Sequence, residues 1–290
     1  MTKGRFAPTP SGDLHLGNVR TALIAWLHAR ATGGSIQLRI DDLDVDRCRE
    51  EFEFRQLEDL AWLGLTWDGE LIRQSERHDL YTAALAQLQA EGHVYPCFCT
   101  RAEVRAAASA PHGDEGPIYS GTCRGLDPAA AAARVAAGER HALRLAVPAG
   151  VEEFDDFVHG PVAIDVAATL GDLVLVRTDG VFGYQLACAV DDAQPAMTHI
   201  VRGEDLLPSA ACQRVLMRLL DREPPDYGHV PLLLGDDGAR LAKRDGAVTL
   251  REHRAHGATP EGVAGMLAGM FGIGDGSPAG LDDLIPLAAG

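Results

Sequence analysis

An α/β fold built on a parallel, doubly wound sheet is what this sequence predicts, and three observations predict it. Strand and helix patterns alternate from residue 4 to about residue 65. The same strand, loop and helix order returns near residue 198. Between them lies a stretch of different composition, which reads as a smaller α+β insertion.

The first strand is GRFA, residues 4–7, entering a Pro/Gly loop. From Gly17 onward Val19, Leu23, Trp26 and Leu27 recur at helical spacing, and Gly33-Gly34 ends that helix. SIQLRI, residues 35–40, is the second strand. DDLDVDRC follows it, and then a helix closing with LEDLAWLGL. Another helix runs from about Arg77 to Glu91. At VYPCFCT the character changes. Residues 100–140 are rich in Ala, Gly and Pro and end in an Ala-rich helix, PAAAAARVAAGER. HALRLAV and DLVLVRTDGVFGYQLACAV read as strands with a turn between, interrupted by DDFVHGPV. The parallel pattern returns with THIVRGEDLLPSAACQRVLMRLL, and HVPLLL is a further strand leading into the loop RLAKRDG. The last stretch, GIGDGSPAGLDDLIPLAAG, reads as weakly structured. The domain division expected from this is 1–96, 97–175, 176–235 and 236–290.

With 290 residues and 46% hydrophobic content, the chain can form one large core or two modest ones. No apolar run approaches the ~18 residues of a membrane helix. MTKGRFAPTP holds no long apolar segment of a secretory signal, so a cytoplasmic protein is expected. The net charge of −16 argues against a broad phosphate-tracking surface, though it leaves local basic patches open. One such patch is Arg240 to Arg254, with five basic and two acidic residues.

PTPSGDLHLGNVRTA, residues 8–22, carries the first chemistry. A strand, a tight loop and a helix start make an anion site, because the first helical N–H groups have no internal partner. Gly17 lets a ligand approach the backbone closely. His15 can donate to a phosphate or ribose oxygen, although a loop histidine also serves structure. The second element is Lys243, one of only two lysines in the chain, the other being Lys3. A compact ammonium on a flexible stem suits a migrating phosphoryl charge, and one surface lysine is the plainer alternative.

These motifs together resemble the class I aminoacyl-tRNA synthetases of the glutamyl type. RFAPTPSGDLHLGN resembles the family's first signature and RLAKR its lysine-centred second one. LRIDDLD, IRQSERHDLY, GYQLACAVDD and IVRGEDL resemble further parts of the same catalytic domain. The resemblance covers roughly residues 4 to 250. It implies a Rossmann-type parallel sheet with an inserted zinc-bearing α+β subdomain. It also implies ATP-dependent activation of L-glutamate to glutamyl-adenylate, with Mg2+ accompanying ATP, and transfer to an RNA hydroxyl. His15, Gly17 and Asn18 then hold ATP, and Lys243 stabilises the α-phosphate, so His15 and Lys243 are the catalytic pair.

For glutamate the resemblance implies Arg5 and Arg202 as carboxylate-binding arginines, a task suited to bidentate guanidinium. Tyr184 matches the pocket tyrosine, Ala7 and Thr9 lie in the lining loop, and Asp41 stands where the family usually has Glu for the α-ammonium. The second signature also departs from the family's usual form, with Arg240 and Ala242 in place of Lys and Ser.

Six cysteines are present: Cys48, Cys97, Cys99, Cys123, Cys188 and Cys212. Cys97 and Cys99 stand two apart, so an extended segment puts both thiols on one face. With Cys123 they make three thiolates in one insertion, which favours tetrahedral zinc over three reduced core cysteines. The Cys-x-Cys…Tyr-x-x-x-Cys pattern is similar to the zinc site of the family's short members, implying Tyr119 as fourth ligand, with His112 in reserve. Cys48, Cys188 and Cys212 read as core or surface thiols.

Length points to the acceptor. After the Lys243 loop only residues 245–290 follow, too few for the helical anticodon-binding region of a full glutamyl-tRNA synthetase. The chain thus resembles the short paralogue family of glutamyl-Q tRNA(Asp) synthetases, which attach glutamate to queuosine in the tRNA(Asp) anticodon. The partners expected are glutamate, ATP and the tRNA(Asp) anticodon stem-loop, held by a monomer. Two other readings stay open: a truncated enzyme charging a tRNA 3′ end, and a non-catalytic RNA- or protein-binding paralogue.

Overall fold

The computed structural model describes residues 1–107, 118–194, 197–233 and 248–289. In chain order the elements are β1 (Lys3–Phe6), α1 (Leu16–Ala31), β2 (Ser35–Ile40), α2 (Glu50–Trp62), β3 (Ile72–Arg73) and α3 (His78–Ala90). The insertion brings β4 (Val94–Cys97), α4 (Arg101–Ala107), α5 (Pro128–Ala136), β5 (Ala142–Leu145), β6 (Val151–Asp156), β7 (Gly160–Asp165), α6 (Val166–Thr169) and β8 (Val174–Val176). Then come α7 (Tyr184–Asp192), β9 (His199–Gly203), α8 (Leu207–Leu219), β10 (Asp226–Val230), α9 (Leu250–Ala255), α10 (Pro260–Gly269) and α11 (Leu281–Leu287).

The expected parallel sheet is present. β2 pairs in parallel with β1 and β3, and β10 pairs in parallel with β9 and β6. The two sets meet where β1 lies beside β9. There Thr198 N–H donates to the Lys3 carbonyl (2.9 Å) and Lys3 N–H donates to Thr198 Oγ1 (2.8 Å). Strand side chains alternate between two cores. Ile36, Leu38, Val201 and Val230 join α1, α10 and α11 on one face. Ile200, Tyr227 and Phe154 join α3, α7 and α8 on the other. Helices on both faces are what a doubly wound sheet needs.

Three expectations are corrected. GYQLACAV is not a strand: residues from Tyr184 to Asp192 form helix α7. Helix α7 has only nine residues and its run from Leu186 to Asp192 is buried throughout, and so short an apolar run does not separate helix from strand. The final segment is structured, because α11 packs Leu284 into the α1 core. DDFVHGPV does not interrupt the strands but turns the β6–β7 hairpin, paired from Val151–Asp165 to Asp156–Gly160. Since β6 also pairs with β10, the main sheet crosses the division drawn at residue 175. A separate antiparallel sheet, β4-β5-β8, carries the rest of the insertion.

Candidate active site

A cleft of about 600 Å³ opens at the carboxyl ends of β1, β2, β9 and β10, where the strand order reverses. That is where doubly wound sheets place ligands, and the volume suits a small-molecule site. Arg5, Ala7, Thr9, His15, Gly17, Asn18, Asp41, Tyr184 and Arg202 all line it. Lys243, Arg240, Ala242 and His112 lie outside the described residues.

The loop before α1 forms one wall. His15 is the N-cap, in extended backbone, and its Nδ1 accepts from Asn18 N–H at 3.3 Å. With Nδ1 an acceptor, the neutral ring carries its proton on Nε2. A Cβ on Gly17 would stand 3.0 Å from that ring, so glycine makes the room in which the imidazole folds back. No acidic residue occupies the first turn of α1, which leaves the positive end of its dipole uncompensated. Gln56, 2% exposed on α2, holds the loop from below, donating to the carbonyls of Thr9 (3.0 Å) and Gly12 (2.7 Å). Sequence reasoning missed Gln56. The available signal was a polar residue in register with the buried face of EFEFRQLEDLAWL.

Buried ion pairs form the floor. Arg5 grips Asp192 with Nε (3.2 Å) and Nη2 (2.9 Å). Arg39 reaches the same carboxylate with Nη1 (2.6 Å) and Asp41 with Nε (2.6 Å). Burial alone would raise the Asp192 carboxyl, but Arg39 and Arg5 hold it well below the usual carboxylate range. Asp41 goes the other way: burial pushes it up, and Arg39 offsets that only in part. Arg39 Nη2 also reaches Asp41 Oδ2 at 3.3 Å, so one guanidinium holds both oxygens of this carboxylate. Cys188 donates to Asp41 Oδ2 at 3.7 Å, and burial with that carboxyl keeps it a neutral thiol. Cys212 is also buried and Cys48 half-buried. Arg39 and Asp192 are the second miss. The signal was an arginine inside the strand SIQLRI and paired acids ending a buried helix.

The opposite wall is Arg202, 3% exposed. Its Nε donates to His229 Nε2 (3.1 Å) and its Nη1 to Gln213 Oε1 (2.8 Å). Tyr184, 41% exposed, opens α7 into the cleft between the two arginines' walls.

Away from the cleft, Cys97, Cys99, Cys123 and Tyr119 gather at the end of β4. The three sulfurs lie within 4.8 Å of one another. Cys97 Sγ is 3.4 Å and Cys99 Sγ 3.7 Å from the Tyr119 hydroxyl, and Cys99 and Cys123 are 3.6 Å apart. Zinc–sulfur bonds of ~2.3 Å in a tetrahedron require ligand separations of about 3.5–3.8 Å, which the Cys97–Tyr119, Cys99–Tyr119 and Cys99–Cys123 distances approach.

A parallel α/β sheet with a cation-rich cleft beside a helix start defines a class I synthetase catalytic domain. The chain belongs to the tRNA synthetases class I (E and Q) catalytic-domain family, whose model matches residues 1–274. It is an aminoacyl-tRNA synthetase-like ligase. It is 53% identical over 298 aligned positions to the glutamyl-Q tRNA(Asp) synthetase of Symbiobacterium thermophilum, covering 99% of this chain and 92% of that one. It is 41% identical to the glutamate–tRNA ligase of Aquifex aeolicus, covering 90% of this chain and 55% of that one. Among solved structures, a glutamate tRNA ligase from Elizabethkingia meningosepticum in complex with its amino acid superposes with a TM-score of 0.83 at 28% identity. The match covers 99% of this chain and spans 65% of that one. No helix among the described residues is long and apolar enough to cross a membrane.

Proposed function

We propose that this protein activates L-glutamate with ATP and transfers the glutamyl group to the queuosine of the tRNA(Asp) anticodon. The observation that carries the activation step is the convergence of Arg5, Arg202, Asp41 and Tyr184 on one cleft with the start of α1. Glutamate has two carboxylates and one ammonium, and the cleft offers the guanidinium groups of Arg5 and Arg202 and the carboxylate of Asp41. Arg5 has spent Nε and one Nη2 hydrogen on Asp192, which leaves Nη1 for substrate. Arriving ammonium relieves the buried charge of Asp41.

ATP sits along the first turn of α1, with His15 Nε2–H, Gly17 and Asn18 against its phosphates and ribose and with Mg2+ accompanying it. A glutamate carboxylate oxygen attacks the α-phosphorus, pyrophosphate leaves, and Lys243 neutralises the charge that develops. A hydroxyl of the queuosine cyclopentenediol then attacks the activated carbonyl and AMP leaves. Zinc held by Cys97, Cys99, Tyr119 and Cys123 braces the insertion structurally, because all four positions are filled by protein. The greater identity to the glutamyl-Q relative, 53% against 41%, supports the acceptor. We place the reaction in the cytoplasm.

Glutamate-dependent ATP–pyrophosphate exchange without tRNA is the expected result, and its absence with or without tRNA sinks the enzyme reading. Transfer to tRNA(Asp) should vanish when the tRNA lacks queuosine. Charging of a 3′ end instead would select the glutamate–tRNA ligase reaction.

A further inference from the structure

We propose that His229, held by Asp156, is a positioning residue that aims Arg202 and thereby sets the selectivity for glutamate. The inference rests on the assignment of Arg202 as a glutamate-binding arginine. It starts from five groups on β6, β9, β10, α8 and α7, four of them almost wholly buried. Asp156 is 1% exposed, His229 and Gln213 0%, Arg202 3%, and Gln185 joins the chain at its far end.

The direction of each hydrogen bond follows from its donors. Arg202 Nε always donates, so His229 Nε2, 3.1 Å away, must accept. The ring proton then sits on Nδ1 and is given to Asp156 Oδ2 at 2.6 Å. On the other side Gln213 donates Nε2 to Gln185 Oε1 (3.0 Å), and Gln185 donates to Ser209 Oγ (2.9 Å). Gln213 therefore presents its oxygen to Arg202 Nη1, at 2.8 Å. Arg202 Nη2 reaches the Leu206 carbonyl at 3.4 Å. Of the five guanidinium hydrogens, these contacts leave one on each Nη nitrogen uncommitted among the described residues. Two hydrogens on adjacent nitrogens match the two oxygens of a carboxylate, and a neutral amide offers only one acceptor to such a fork. The ring of Tyr227 supports the guanidinium face, 5.0 Å from its centre. A neutral histidine on one flank and an amide oxygen on the other are the side-chain partners shown for Arg202 among the described residues, and neither is a carboxylate. Arg5, by contrast, is already paired with Asp192. The substrate carboxylate therefore meets an arginine that no carboxylate of the described residues is shown to pair with directly.

Asp156→Asn tests the direction of the relay with little change of shape. Asp156 Oδ1 accepts from the N–H groups of Val158 (2.9 Å), His159 (2.9 Å) and His229 (3.2 Å). Those three donors keep the asparagine oxygen in place, so its amide nitrogen faces His229 Nδ1 and donates to it. The ring proton then moves to Nε2 and confronts Arg202 Nε–H. In ATP–pyrophosphate exchange we expect the KM for glutamate to rise about tenfold, equivalent to ~1.4 kcal/mol. The KM for ATP should hold, and discrimination of glutamate from glutamine should fall. Imidazole 15N shifts should report the exchanged tautomer. His229→Gln, which keeps an acceptor toward Arg202, should retain a lower glutamate KM than His229→Leu. A wild-type glutamate KM in Asp156→Asn with the tautomer exchanged overturns the proposal. So does an equal rise of both KM values, which marks a merely structural relay. If Asp156→Asn does not fold, the His229 pair decides, and equal glutamate KM values overturn it. Wild-type protein without glutamate-dependent exchange would instead sink the activation reading itself.

Discussion

Asp192 closes helix α7 with a negative charge where the helix dipole is already negative, and two arginines make that arrangement stable. Asp192→Asn leaves Arg5 and Arg39 buried without their shared carboxylate, which should cost about 3 kcal/mol in urea unfolding. Because the folded carboxyl titrates far below its unfolded value of ~3.9, its contribution is complete above about pH 4. It declines as pH falls from there toward the lower folded value, below which it is lost. His229 behaves differently. Burial and the Arg202 charge push it down to about 4, and the Asp156 hydrogen bond does not reverse this. Unfolded histidine binds its proton near pH 6.5, so stability is complete above that pH and declines as pH falls toward 4, by up to about 3 kcal/mol. Wild-type protein should lose this increment between pH 7 and 4.5, and His229→Gln should not. Arg5, Arg202 and His15, singled out by their motifs, line one cleft. Their partners were not legible in the sequence, because a buried charge in a strand has no sequence periodicity that names its counter-ion. Only the meeting of β1, β2 and α7 shows that Asp192 serves two arginines at once.

At the scale of elements, α1 was readable from its glycines and its apolar spacing, whereas α7 was mistaken for a strand. The difference is length and setting: α1 runs for 16 residues behind a capping histidine, while α7 has nine and follows β8 across a short turn, so its apolar run reads as a continuation of strand. Gly183 is needed at that junction, since a Cβ there would lie 2.1 Å from the Val174 carbonyl oxygen. Gly183→Ala should displace α7 and with it Tyr184 and Asp192, lowering pyrophosphate exchange at least tenfold (~1.4 kcal/mol) while the far-UV circular dichroism is kept. Helix α9 carries a capping box in which Thr249 and Glu252 exchange hydrogen bonds. Thr249→Ala should lower stability by about 1 kcal/mol in thermal unfolding.

For the whole molecule, the fold class and the place of the cleft followed from the order of strand and helix patterns. The insertion was visible as a change in composition, but the membership of β6 in the main sheet was hidden, because pairing with β10 joins segments far apart in the chain. The sulfur cluster makes a prediction at this scale: purified protein should hold one zinc per chain by elemental analysis. Cys99→Ser should release it and lower the melting temperature, since a closed site contributes directly to folding. β1 comes near the start of the chain but lies between β2 and β9, and its bond to Thr198 spans 195 residues. Leu250 N–H likewise returns to the Leu14 carbonyl, beside His15. During synthesis on the ribosome the loop before α1 therefore waits, unfinished, until β9 and then α9 have emerged, so the cleft is completed only late in elongation.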